Sequence, residues 1–298
     1  MTDPAAHQPQ PRVVLVDGVP MSGLLAEAPH PRATIVAIHG GATTGAYFDC
    51  PGHPALSLLR TGAQLGYTML AIDRPGFGSS ALYPDEFLDT ARRVEMTYGV
   101  VDKILGDRDR GAGVFLLAHS AGCELALRMA AADRGRSLLG VEISGTGVRQ
   151  QQAAFAVLKS ASLERIPTGL RQLLWEPAEL YPDGIDRDVR IRNGPAGVQY
   201  EAAVVSNWAA DLPKLAAQVQ IPVRFSLGAH ERVWEAGPAA LAEVAALFTA
   251  APLVAVHEQT DGGHNLSLGH TAADYHAGVL AFVDQCVTAT TDFDMEAS

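Results

Sequence analysis

Short apolar runs alternate with helical stretches along most of the chain, and this alternation restricts the fold most strongly. Parallel strands need long crossover connections, which are usually helices, so the pattern predicts an α/β fold. We expect a mostly parallel, eight-stranded sheet flanked by helices. An opening antiparallel hairpin and six later strands are predicted at 13–16, 21–26, 34–38, 68–72, 113–117, 139–144, 223–227 and 253–256.

One long segment interrupts the alternation between the sixth and seventh predicted strands. Residues 147–219 hold several prolines and no convincing strand pattern. The segment also carries five large aromatic residues, Phe155, Trp175, Tyr181, Tyr200 and Trp208. We predict a helical cap here, inserted into a core formed by 12–146 and 220–288; the alternative is an ordinary helical extension. Residues 1–11 are expected to be a disordered lead-in and 289–298 a flexible tail.

Composition excludes several classes of protein. A hydrophobic content of 48% with 18% charged residues is typical of a globular protein with a sizeable core. The net charge of -11 argues against nucleic-acid binding. No apolar segment is long enough to span a membrane or to direct export. The three widely spaced cysteines suggest neither a disulfide framework nor a metal site, so a cytoplasmic location is expected.

The pentapeptide Ala118–Gly122 places a serine between a strand pattern and a helix pattern. A serine at such a turn, with small residues two positions before and after it, is typical of a nucleophile elbow. The elbow raises the hydroxyl above the carboxyl edge of a parallel sheet. Ser120 is therefore the candidate nucleophile.

A serine hydroxyl needs a neighbouring base, which is usually a histidine oriented by a carboxylate. His264 follows the last predicted strand, in a loop at the sheet edge where α/β proteins place their sites. Glu231 follows the preceding strand and is the candidate acid. Glu142 is the alternative acid, because a carboxylate inside an apolar strand requires a reason.

The oxyanion that forms during attack needs preorganised N–H donors. The amide of Ala121 follows the nucleophile at a helix start, and Gly41 follows the third strand; Ala42 is the second choice for that position. A G-x-G-x-x-A pattern at 76–81 is not followed directly by a helix, so dinucleotide binding is not expected. The candidate walls of a substrate pocket are Tyr47, Phe48, Trp175 and Trp208.

Together these motifs, in this order, resemble the α/β-hydrolase fold superfamily over about residues 12–287. The matching segments are His39–Gly41, Asp73–Gly78, the elbow at Ser120, Gly145–Gly147, Gly228–Glu231 and Gly262–His264. The chain departs from the usual pattern in having Ala118 at the first small position and a glutamate where aspartate is commoner. A serine nucleophile argues against epoxide hydrolase and haloalkane dehalogenase chemistry.

The resemblance implies a serine hydrolase that cleaves an ester, lactone or thioester of a small, largely apolar substrate. No metal or organic cofactor is expected, and the expected partner is a small-molecule acyl compound, without nucleic acid or membrane. Two other functions stay open: a C–C bond hydrolase or cyclase on the same scaffold, and a small-molecule receptor without turnover. The sequence leaves the substrate and the oligomeric state open.

Overall fold

An eight-stranded sheet forms the centre of the computed structural model, which describes residues 7–158, 168–188, 190–191 and 199–296. The spatial order of the strands is β1-β2-β4-β3-β5-β6-β7-β8. The first two strands pair antiparallel and the last six are parallel, which confirms the expected sheet. The strands are β1 (Gln10–Val16), β2 (Val19–Ala26), β3 (Thr34–Ile38), β4 (Thr68–Ile72), β5 (Val114–His119), β6 (Gly140–Ser144), β7 (Val223–Gly228) and β8 (Val254–Gln259).

Helices cover both faces of the sheet. They are α1 (Leu58–Gln64), α2 (Thr90–Leu105), α3 (Gly122–Ala131), α4 (Gln152–Leu158), α5 (Leu170–Trp175), α6 (Gln199–Ala216), α7 (Pro238–Ala245) and α8 (Ala272–Glu296). Side chains alternate along β5: Leu116 and Ala118 enter one apolar cluster, while Phe115 and Leu117 enter the other. Burial on both faces explains why the central strands read as continuous apolar runs.

Side-chain caps set where two of the helices begin. The α2 helix begins at Thr90, where the carboxylate of the preceding Asp89 accepts from the Arg92 amide. The Ser57 hydroxyl accepts from the Arg60 amide and caps α1 in the same way. At the end of the described chain, α8 continues into the stretch 289–298 that was expected to be a tail.

The chain between β6 and β7 forms α4, α5, α6 and two short 3-10 turns, and its residues 159–167, 189 and 192–198 lie outside the described ones. Trp208 and Leu212 of α6 are buried in the same apolar cluster as α3. The division into core and cap stays a prediction. Of the expected lead-in over 1–11, residues 1–6 lie outside the description, while Gln10 and Pro11 already belong to β1. Among the described helices, none is both long and apolar enough to cross a membrane.

Candidate active site

Ser120 occupies the sharp turn between β5 and α3. Its φ of 51° lies in the left-handed region that side chains with a Cβ rarely adopt. The Ser120 amide donates to the Ser144 carbonyl at 2.8 Å, which holds this conformation. A Cβ on Gly122 would lie 2.6 Å from the Ile38 carbonyl oxygen and 2.5 Å from that of His39, so only glycine fits there. The half-buried Ser120 hydroxyl is thus fixed at the carboxyl edge of the sheet.

His264 lies in the loop between β8 and α8 and faces Ser120. Its Nε2 is 3.1 Å from Ser120 Oγ, within hydrogen-bond distance. The side chain of His264 is 3% exposed. The two residues are 144 positions apart in the chain, and the parallel arrangement of β5 and β8 brings them to one edge.

Glu231 follows β7 and holds the other side of the imidazole. His264 Nδ1 is 3.0 Å from Glu231 Oε1 and 2.9 Å from Oε2. Oε1 also accepts from the amides of Arg232 at 3.0 Å and Val233 at 2.8 Å. A carboxylate can only accept here, so it fixes the imidazole proton on Nδ1 and leaves Nε2 free to accept from the Ser120 hydroxyl.

Glu142, the alternative acid, lies in a separate buried cluster within β6. Its Oε2 is 3.1 Å from Arg224 Nη1, and the Tyr275 hydroxyl donates to Oε1 at 3.2 Å. Burial raises the pKa of Glu142, while the Arg224 guanidinium opposes that shift. Its hydrogen-bond partners do not include His264, and the geometry therefore favours Glu231 over Glu142 as the partner of the imidazole.

The Gly41 and Ala121 amides are the donors expected to hold an oxyanion, and this role stays a prediction. Within the described residues, neither the Gly41 nor the Ala121 amide donates to another protein atom. The Gly40 backbone passes so close that a Cβ there would lie 3.0 Å from Ser120 Cβ. Ala42, the second choice, has a φ of 56° in the same turn.

The four aromatic residues expected to line a pocket lie in different surroundings. Tyr47 stacks on the His119 ring with centroids 4.7 Å apart, and Phe48 exposes no surface. Trp208 is buried and its Nε1 donates to the Gly147 carbonyl at 3.0 Å. Tyr47, Phe48 and Trp208 thus pack against protein atoms, and their contact with a substrate stays a prediction.

Trp175 lies in different surroundings from the other three aromatic residues. It is partly exposed and lines a cleft of about 310 Å³, together with Tyr181 and Arg171. The lining of this cleft does not include Ser120 or His264. Its contact with a substrate therefore also stays a prediction.

A second layer of polar residues supports the histidine loop, and the sequence reasoning missed it. His119 Nε2 is 3.2 Å from Asn265 Oδ1, whose amide nitrogen Nδ2 donates to the Leu174 carbonyl at 2.7 Å. The Asn265 backbone amide donates to the Tyr181 hydroxyl at 3.1 Å. Burial and the neighbouring His264 lower the pKa of His119 well below its usual value, so this ring is neutral. Its position beside Ser120, like that of Asn265 beside His264, was a signal available in the sequence.

The described part of the chain contains no group of three or more histidine, cysteine, aspartate or glutamate side chains arranged to hold a metal ion. The candidate chemistry rests on a hydroxyl, an imidazole, a carboxylate and two amides. These groups can activate a nucleophile, attack a carbonyl carbon and stabilise the resulting oxyanion.

The sequence model of the alpha/beta hydrolase family matches residues 35–277. The chain belongs to this family. The matched residues begin within β3 and include the serine turn and the loops that carry Glu231 and His264. No curated protein sequence is similar enough to this alpha/beta hydrolase to match it.

Solved structures resemble this alpha/beta hydrolase in fold at low sequence identity. A soluble variant of monoglyceride lipase from Saccharomyces cerevisiae is 16% identical with a TM-score of 0.70, covering 93% of this chain and 95% of its own. The N-acyl homoserine lactonase AidH is 18% identical with a TM-score of 0.66, covering 93% and 98%. A thioesterase domain from the curacin biosynthetic pathway is 17% identical with a TM-score of 0.57, covering 92% and 99%.

Proposed function

We propose that this protein is a serine hydrolase that cleaves an ester, lactone or thioester of a small, largely apolar acyl compound. The observation that carries the proposal is the continuous hydrogen-bond chain from Ser120 Oγ through the His264 imidazole to the Glu231 carboxylate. A half-buried hydroxyl in a strained turn, next to a histidine that is oriented by a buried carboxylate, has the composition of a nucleophilic triad.

In the proposed reaction, Ser120 Oγ attacks the carbonyl carbon while His264 Nε2 takes the hydroxyl proton. The Gly41 and Ala121 amides hold the oxyanion of the tetrahedral intermediate. When the intermediate collapses, the imidazolium gives its proton to the leaving alcohol or thiol, and an acyl-enzyme remains. Water then attacks the acyl group, with His264 again acting first as base and then as acid, and the carboxylic acid leaves.

Glu231 has two tasks in this scheme. Its carboxylate keeps the Nδ1 proton of His264 in place, and it stabilises the imidazolium that forms when Ser120 loses its proton. The amides of Arg232 and Val233 hold Oε1, so the carboxylate does not have to reorganise as charge develops.

An active-site-directed fluorophosphonate tests the proposal directly. We expect the intact protein to be labelled at Ser120, and both Ser120→Ala and His264→Ala to abolish labelling. His230→Ala is the matched control, because this exposed histidine is adjacent to Glu231 in sequence and is not a hydrogen-bond partner of the triad. An intact protein that takes up no label would contradict the proposal.

Identifying the bond that is cleaved requires a panel of aryl esters, lactones and acyl thioesters. The structural relatives include a lipase, a lactonase and a thioesterase, so the panel spans the bond types that this fold supports. Turnover of any member that disappears in Ser120→Ala supports hydrolysis. Tight binding of small apolar compounds without labelling or turnover would instead indicate the receptor function.

We also propose a cytoplasmic location and a small-molecule acyl partner. All three cysteines are free thiols and buried, which fits a reducing compartment.

A further inference from the structure

The carbonyl oxygen of Gly40 accepts three hydrogen bonds. Arg74 Nη2 donates to it at 2.9 Å, His39 Nδ1 at 2.8 Å and Thr43 Oγ1 at 3.2 Å. The tautomer of His39 follows from its other nitrogen, because Nε2 accepts from the Arg74 amide at 3.0 Å. Burial and the Arg74 charge lower the pKa of His39 well below its usual value, so it carries one proton, on Nδ1. Ordinary backbone carbonyls accept one or two such bonds.

The Gly40 carbonyl and the Gly41 N–H belong to the same planar peptide unit. Fixing the direction of the carbonyl therefore fixes the direction of the N–H on the opposite side. Donors on the carbonyl also withdraw electron density from the amide, which makes its N–H a stronger donor. The strongest of these donors is a guanidinium, because bonds from charged groups are about twice as strong as neutral ones.

We propose that Arg74 is a positioning residue that orients and polarises the Gly40–Gly41 peptide for oxyanion binding. This inference rests on the proposed function, since Gly41 is the oxyanion donor in that scheme. Arg74 touches no substrate atom in the scheme and acts only through the peptide.

The surroundings of Arg74 keep its guanidinium in place behind the loop. Its side chain is 1% exposed and its guanidinium carbon lies 4.5 Å from the Phe77 ring centroid. Nη2 also pairs with the Glu201 carboxylate of α6. A Cβ on Gly41 would lie 3.4 Å from Glu201 Oε1, so this ion pair borders the oxyanion site itself.

Arg93 offers a matched control for a buried arginine. It is 3% exposed, its Nη2 lies 3.2 Å from Glu124 Oε1, and its guanidinium carbon is 4.3 Å from the Tyr200 ring centroid. Its main-chain acceptors are Phe87 and Leu88, not Gly40. Arg74→Met and Arg93→Met thus each remove a buried, ring-stacked cation from a carboxylate, and only the first removes a donor from the Gly40 carbonyl.

A unique feature of the sequence makes the peptide directly observable. Consecutive glycines occur at two places only, 40–41 and 262–263. In protein labelled with 13C-carbonyl and 15N glycine, a carbonyl-to-amide correlation spectrum contains signals from these two peptides alone, and 262–263 serves as an internal reference. We expect Arg74→Met to move the Gly40 carbonyl signal to lower frequency, and Arg93→Met to leave it in place.

Kinetics supply the second readout, on an ester that the wild-type protein cleaves. We expect Arg74→Met to lower kcat by about ten-fold, less than the loss of a whole oxyanion donor, with KM within about three-fold of wild type. Arg93→Met is expected to keep the wild-type kcat per folded molecule. Thermal unfolding of both variants shows what fraction of each is folded at the assay temperature. Equal kcat in the two variants would overturn the inference.

An unmoved Gly40 carbonyl signal in Arg74→Met would also overturn it, whether or not an ester is cleaved. Failure of the proposed function has a different signature, because it appears as an unlabelled wild-type protein in the fluorophosphonate experiment.

Discussion

Replacing Glu231 by glutamine tests the geometry of the candidate triad most sharply, because the substitution keeps shape and removes only the charge. Oε1 accepts from the amides of Arg232 and Val233, so in Glu231→Gln the amide oxygen must occupy that position. The NH2 group then takes the place of Oε2, which lies 2.9 Å from His264 Nδ1. An NH2 group can only donate, so Nδ1 must become the acceptor and the imidazole proton moves to Nε2.

With its proton on Nε2, His264 has no lone pair directed at Ser120 and cannot act as a base. The same tautomer error in the Ser-His-Asp triad of serine proteases lowers kcat by about 10⁴. We expect a similar loss here, which corresponds to about 5.4 kcal/mol in the activation free energy. Because ground-state binding does not depend on the tautomer, KM is expected to change little by comparison.

The assay is steady-state hydrolysis of the best substrate in the ester panel, expressed per folded molecule. Glu142→Gln is the control, because it neutralises a carboxyl group that is equally buried and pairs with Arg224 and Tyr275. We expect Glu142→Gln to lower the Tm while kcat stays close to wild type. The reasoning is wrong if Glu231→Gln retains kcat within about ten-fold of wild type, or if Glu142→Gln loses as much as Glu231→Gln.

Two predictions concern stability. Burial lowers the pKa of His276 to about 3. Below about pH 6.5, the unfolded chain therefore binds a proton at His276 that the native state does not bind. The free energy of unfolding consequently falls by about 1.4 kcal/mol for each unit by which the pH is lowered. Urea unfolding at pH 7.5 and 5.0 should show a smaller fall for His276→Leu, and equal falls would contradict this. Gly122→Ala forces a methyl group against the Ile38 and His39 carbonyls, with an expected loss of roughly 1–3 kcal/mol. An unchanged Tm for Gly122→Ala would show that the turn can accommodate the methyl group.

Two of the central strands could be predicted from the sequence to the residue. The runs at 34–38 and 68–72 coincide with β3 and β4, because strands buried on both faces are continuously apolar and end at polar or glycine-rich turns. The approach of Ser120, Glu231 and His264 could also be expected, since parallel strands bring their following loops to one edge. Local pattern and sheet topology were sufficient for both.

The contacts made by the chain between β6 and β7 could not be predicted from local sequence patterns. Arg74 and Glu201 are 127 residues apart, and their pairing depends on where α6 lies across the sheet. The same holds for Asn265 and Leu174, which meet only because α5 packs against the histidine loop. The local sequence does not identify the partner in either pair, because the partner is selected by tertiary packing.

The candidate catalytic residues are far apart along the chain, so activity depends on the native topology of the sheet. Ser120 is 144 residues from His264, and Glu231 is 33 residues from it. The three side chains meet only when β5, β7 and β8 have taken their places in one sheet. In a refolding experiment, the return of fluorophosphonate reactivity would therefore mark the moment at which the carboxyl-terminal half of the sheet has assembled correctly, which circular dichroism alone cannot distinguish from helix formation.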